Sequence, residues 1–152
     1  MSGTDIVVTG LDGPGGADVD IDDADDVPDL VSAIELLDED EVSAALGMSV
    51  TAEPVPEITF IPSTTTIFRP VGSRAIALLV QTSRGWVSGF VLRVYGRGEP
   101  LLGIGERAWL NRRRAVAHQA GTTVILRLKR AGAGREQHLP RLLATAVGRL
   151  LR

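Results

Sequence analysis

The strongest periodicity in the chain lies at its C-terminal end. Leu139, Leu142, Leu143, Ala146, Val147, Leu150 and Leu151 recur at i, i+3, i+4, i+7, i+8, i+11 and i+12, with Pro140 in the first turn, where its missing N–H costs nothing. This spacing predicts an amphipathic helix. Helical spacing also follows Pro28, where Leu30, Val31, Ile34 and Leu37 predict a helix. A shorter one is predicted next: Asp38 and Glu41 stand as a capping-box pair, Val42, Ala45 and Leu46 form the stripe, and Gly47 supplies a left-handed stop.

After Pro54 and Pro56 the period changes from helical to alternating. Glu57–Ile61 and Thr65–Phe68 are expected strands around Pro62 and Ser63, and Arg74–Gln81 is apolar enough for a central strand, closed by a turn at Ser83, Arg84 and Gly85. In Val87–Tyr95 the residues Phe90, Leu92 and Val94 alternate with Val91, Arg93 and Tyr95, which predicts a half-buried antiparallel strand. Trp109–Leu110, Ala115–His118 and Thr123–Leu128 complete the set, with turns at Asn111–Arg113 and Ala120–Thr122. In the last strand Val124, Leu126 and Leu128 are expected to point inward. The order of elements predicts an α+β fold with N-terminal helices, an antiparallel sheet of five to seven strands, and the C-terminal amphipathic helix packed on the sheet.

Ahead of these elements, residues 1–29 are rich in Gly and Asp, with DGPGG at 12–16 and an acidic run over 18–26. Such a segment buries too little apolar surface to offset its ordering entropy. The expectation is an acidic disordered tail over 1–29 and one domain over 30–152, with Ile6–Thr9 and Val19–Ile21 each able to add a short strand to an exposed sheet edge. Charge sharpens this division. Residues 1–57 hold sixteen of the nineteen acids and no Lys or Arg, whereas residues 58–152 hold all sixteen bases against Glu99, Glu106 and Glu136. The net charge of −3 therefore conceals halves of about −16 and +13, an asymmetry that points to an interaction tail or self-association. Fifteen of the sixteen bases are Arg, whose planar fork pairs bidentately with carboxylates and phosphates.

The chain has no cysteine, which excludes disulfides, thiolate nucleophiles and cysteine-ligated metals. No apolar run approaches the roughly 18 residues of a membrane span, and the acidic start lacks the layout of a signal peptide. A cytoplasmic protein without a membrane partner is expected.

The segment IELLDEDEVSAALGMSV (34–50), a run of strands, GIGERAWL (103–110), a strand pair and a closing helix follow one another. In this the chain resembles the small α+β domains of actinobacterial envelope lipoproteins and kinase-linked extracellular sensor domains, over about residues 30–152. The resemblance implies a ligand- or partner-binding module with no catalytic residues to carry over. Relatives commonly carry a lipobox or membrane anchor and a cysteine pair, so the expectation here is a cytoplasmic variant of the scaffold.

Three motifs invite specific chemistry. Gly103, Gly105 and Ala108 spell the G-x-G-x-x-A dinucleotide fingerprint, which requires a helix after Glu106; without one it is a turn entering a hairpin. Asp18, Asp20, Asp22 and Asp29 fall at positions 1, 3, 5 and 12 of a calcium loop, but Asp23 stands where the sharp turn wants Gly. His118 and His138 are the only imidazoles, and either can be paired on paper with Glu106 or Glu136. The expectation is no cofactor, no metal and no enzyme activity. Arg112, Arg113 and Arg114 cluster at a hairpin turn, and Arg93, Arg127, Lys129 and Arg130 fall on solvent-facing strand positions. These seven residues are the expected partner-binding surface, for an acidic protein segment or for the chain's own Asp18, Asp20, Asp22, Asp23, Asp25 and Asp26, in the same or a neighbouring copy of a homo-oligomer. The alternative is a nucleic-acid-binding domain gated by a DNA-mimicking tail.

Overall fold

A computed structural model describes residues 30–57 and 61–150. Strands β1 (Val50–Val55), β2 (Ser63–Pro70), β3 (Leu78–Arg84), β4 (Glu99–Pro100), β5 (Arg107–Asn111), β6 (Arg114–Gln119) and β7 (Thr122–Leu128) form one antiparallel sheet in the order β1-β2-β3-β7-β6-β5-β4. Helices α1 (Glu39–Leu46), α2 (Gly85–Tyr95) and α3 (Leu139–Leu150) complete the α+β fold.

Alternation along the central strand β7 sorts the core into two layers. Val124, Leu126 and Leu128 join Phe68, Leu78, Val80, Ala115 and Ala117 on one face, beneath Leu139, Leu142, Leu143, Ala146 and Val147 of α3 and Val42 and Leu46 of α1. Ile125 and Val116 point to the other face, where Val87 and Val91 of α2 cover them. The C-terminal stripe is thus used as its spacing requires.

Arginines and threonines fasten the N-terminal elements to this core. The Arg149 guanidinium, at the end of α3, donates to the Leu36 carbonyl at 2.8 Å and pairs with the Glu41 carboxylate on α1; the hydrogen bond from Glu41 raises the Arg149 pKa further above its usual value. Arg135 Nε donates to the Leu46 carbonyl, one of the orphan acceptors at the end of α1. Both halves of the Asp38–Glu41 capping box form, and Gly47 closes the helix at φ 70°. A buried relay ties the residues ahead of α1 to β2 and β3. The Thr82 hydroxyl donates to the Val31 carbonyl at 2.9 Å, Thr64 donates to Thr82 at 2.6 Å, and Thr64 Oγ1 accepts the Ala33 N–H at 2.8 Å.

Several elements differ from expectation. The segment Val87–Tyr95 is the helix α2, not a strand. β3 connects to β4 at the far edge of the sheet, so the chain must cross β7, β6 and β5, roughly 15–20 Å at strand spacing. A segment lying over a sheet face has no ladder to join, and only a helix satisfies its backbone internally. Gly85, at φ 64°, turns the chain off the sheet into that helix. The helix expected after Pro28 is a single 3-10 turn at Ala33–Glu35. Ala33 is its buried residue, Leu36 and Leu37 are buried just after it, Ile34 is exposed, and the Ala33 N–H goes to Thr64 instead of to a preceding carbonyl. No strand is described at Glu57–Ile61, of which residues 58–60 lie outside the described residues. The strand at this edge is β1, running through Pro54, and an edge strand tolerates a residue that cannot donate. The tail, its candidate strands and calcium-loop aspartates, and Leu151 also lie outside the described residues.

Replacing Thr64 by the nearly isosteric Val leaves the buried Ala33 N–H without its acceptor and breaks the relay to Thr82. We expect Thr64→Val to lower stability by about 1–3 kcal/mol, read as a lower urea midpoint at unchanged slope.

Candidate functional site

The turn between β5 and β6 and the end of β7 meet at one end of the sheet. Asn111 pairs with Arg114, leaving Arg112 and Arg113 as a two-residue turn. The Leu128 N–H donates to the Arg113 carbonyl at 2.7 Å, which ties the end of β7 to that turn. Lys129 N–H donates to the Ala77 carbonyl at 2.9 Å, and Arg130 then opens a 3-10 turn. These backbone bonds place Arg112, Arg113, Arg114, Arg127, Lys129 and Arg130 around an open basin of about 660 Å³, completed by Asn111 and Leu128.

The floor of the basin is unusual in its charge. Arg114 and Arg127 are directly opposed across β6 and β7, and like charges in that position repel. Tyr95, from the last turn of α2, moderates the conflict: its ring centroid lies 4.6 Å from the Arg114 guanidinium carbon and 5.3 Å from that of Arg127. Each cation–π contact contributes about 0.5–1 kcal/mol. Arg114 Nε is buried without a hydrogen-bond partner among the described residues. The ion pairs among the described residues are Arg69–Glu53 and Arg149–Glu41, and neither draws on the basin. Six cations converge with no carboxylate among the lining residues. Such a hollow suits a ligand carrying several negative charges.

Of the seven cations expected to bind a partner, six are assembled here. Arg93 is the exception, because it sits on helix α2 instead of a strand and does not line the basin. Tyr95 was not expected to take part. Its signal was available as the i, i+4, i+8 series Val87, Val91 and Tyr95, the buried side of a helix. The aspartates from Asp18 to Asp26 lie outside the described residues.

The other motifs resolve into local structure. Gly103 (φ 83°) and Gly105 (φ 59°) turn the chain into β5, so strands β5 and β6 stand where a dinucleotide site needs a helix. His118 Nδ1 lies 3.2 Å from Thr123 Oγ1, which itself shares a 2.6 Å hydrogen bond with Ser88 Oγ. Glu106 accepts from the Ala120 N–H and Glu136 from the Gly134 N–H, so each carboxylate is committed to a turn. Among the described residues no three His, Asp or Glu side chains gather as a metal site, and no helix is long and apolar enough to cross a membrane.

No protein-family model matches the chain, and the comparison with curated proteins finds no relative.

Arg112 occupies the left-handed region at φ 55°, a conformation that L residues other than Asn and Asp rarely adopt. The turn therefore holds a cation where Gly fits better. We expect Arg112→Gly to hold or raise stability, by up to about 1 kcal/mol, while weakening anion binding; a lower unfolding midpoint would contradict this account of the turn.

Proposed function

We propose that this chain is a non-catalytic protein-interaction module whose Arg-rich basin binds an acidic segment of a protein. The observation that carries the reading is the convergence on one open basin of six cations that form no ion pair among the described residues. Guanidinium groups on a rigid hairpin and strand end are already spaced for carboxylates, so little ordering cost falls on the protein side. Tyr95 supports protein over nucleic acid as the ligand. With two guanidiniums against its ring it is a support for the cations and not a stacking platform for bases. The weak pairing chemistry around His118, whose partner is a threonine hydroxyl, favours a binding role over catalysis. The resemblance to actinobacterial envelope and sensor domains points to the same class, a partner-binding module, and the reading places its work in the cytoplasm.

The test is a titration of a labelled oligoglutamate peptide and a random DNA duplex. It is made on the full chain carrying Asp→Asn at 18, 20, 22, 23, 25 and 26, so that the probe meets no internal competitor. We expect the peptide to bind with a salt-dependent affinity, and Arg112→Gln, Arg113→Gln and Arg130→Gln together to weaken it at least about tenfold, ~1.4 kcal/mol. The duplex should bind more weakly than the peptide. No peptide binding, or binding indifferent to the three substitutions, would remove the basin as the site; tighter binding of the duplex would assign it to nucleic acid.

A further inference from the structure

Within the basin the cations fall into two layers. Arg112, Arg113 and Arg130 are exposed at its rim, whereas Arg114, Arg127 and Lys129 are partly buried, the first two on its floor. The floor pair belongs to a row that crosses four strands, Asn111, Arg114, Arg127 and Leu79, each directly opposite the next. Neither outer neighbour carries a charge. Past Leu79 and Ile67 the first acid along this row is Glu53 on β1, about 14 Å from Arg127 at strand spacing, and it is paired with Arg69. Val116 and Ile125, the next residues of β6 and β7 on the same face, are apolar. The floor is therefore a pair of opposed guanidiniums with no anion beside it among the described residues.

Tyr95 limits how far apart the two forks stand. Its ring centroid lies 4.6 Å from one guanidinium carbon and 5.3 Å from the other, so the two carbons are at most about 10 Å apart. A tetrahedral anion accepting from both sides at about 2.7–2.9 Å bridges such a gap. A carboxylate satisfies one fork and brings one charge. Two carboxylates set side by side on the pair repel each other as the arginines do. A phosphoryl group brings close to two charges and three strong acceptor oxygens to a single point, so one group neutralises both forks. Partial burial of the floor weakens solvent screening there relative to the rim, and the Tyr95 contacts hold the forks in place before a ligand arrives.

We infer that the Arg114–Arg127 floor is a phosphoryl subsite, and that the acidic segment taken by the basin carries a phosphorylated side chain seated between these two guanidiniums. The inference rests on the reading that the basin binds acidic protein segments, and adds what selects among them. Flanking carboxylates meet Arg112, Arg113 and Arg130 at the rim, while the phosphoryl group reaches the floor. Phosphorylation of the partner then switches it from a weak ligand to a strong one.

Two peptides of equal charge test this on the full chain: a run of glutamates with one central phosphoserine, and the same run with two glutamates in its place. The phosphopeptide should bind at least about tenfold more tightly. Arg112→Gln, Arg113→Gln and Arg130→Gln together should weaken both peptides alike and preserve that ratio, whereas Arg127→Gln should reduce it to about twofold or less. No His, Asp or Glu lines the basin, so between pH 5.5 and 7.5 the titrating group is the ligand's. A phosphoryl group gains its second charge near pH 6, and the ratio should rise about threefold across that range, a readout that requires no variant to fold. Equal affinities, a ratio indifferent to pH, or a ratio that survives Arg127→Gln would overturn the phosphoryl subsite and leave the basin reading intact. Failure of both peptides to bind would remove the basin and the subsite together. Inorganic phosphate that displaces the phosphopeptide at the peptide's own dissociation constant would assign the floor to the free ion and overturn its role in reading a segment.

Discussion

Pairing of β3 with β7 is the constraint on which the rest of the molecule depends. Seven residue pairs, from Leu78↔Leu128 to Arg84↔Thr122, join the three strands of the N-terminal half to the four of the C-terminal half. Because β7 fills the position beside β3, the chain leaving β3 cannot turn back into the sheet. It must travel over a face to reach β4 at the opposite edge. The same pairing fixes which side of β7 each residue takes, sending Val124, Leu126 and Leu128 beneath α3 and Ile125 and Arg127 beneath or beside α2. A register slip by one residue would exchange the two sets and bury Arg127 in the main core.

The arginines divide by what they face. Arg149 and Arg135 reach orphan carbonyls around the ends of the N-terminal helical segments, Arg84 donates to Thr122 at 2.7 Å, and Arg69 pairs with Glu53. The first three satisfy acceptors that burial would otherwise leave unpaired, whereas the Arg69–Glu53 pair is exposed and contributes little. Arg112, Arg113, Arg114, Arg127, Lys129 and Arg130 do the reverse, concentrating charge at one sheet end with a strained backbone at Arg112 and an orphan nitrogen on Arg114. These departures from local rules fall together at one sheet end, while the surrounding fold obeys them, and they are what the proposed binding role would account for.

Much of the fold was legible because its signals are local. The stripe of α3, the capping box and Gly47 stop of α1, and the hairpin turns around Arg112–Arg113 and Ala120–Gly121 need only near neighbours to specify them. The cluster Arg112–Arg114 was equally visible, as were Arg127, Lys129 and Arg130 near the end of a strand. Their assembly into one basin was not, since it depends on β6 and β7 pairing so that Arg114 opposes Arg127. Segment 87–95 was misread because its β-branched and aromatic residues satisfy alternation as well as helical spacing, and no local feature chooses between them.

Composition and periodicity by themselves determined the α+β class, the acidic-to-basic division and the cations available for binding. Tertiary structure alone decided that 87–95 is a helix, that Tyr95 supports two opposed guanidiniums, and that Trp86 and Phe90 remain on the surface. The reason is the same in each case. A segment's period is written in neighbouring residues, whereas the face it covers depends on which distant strand has already taken the hydrogen-bonding edge beside it.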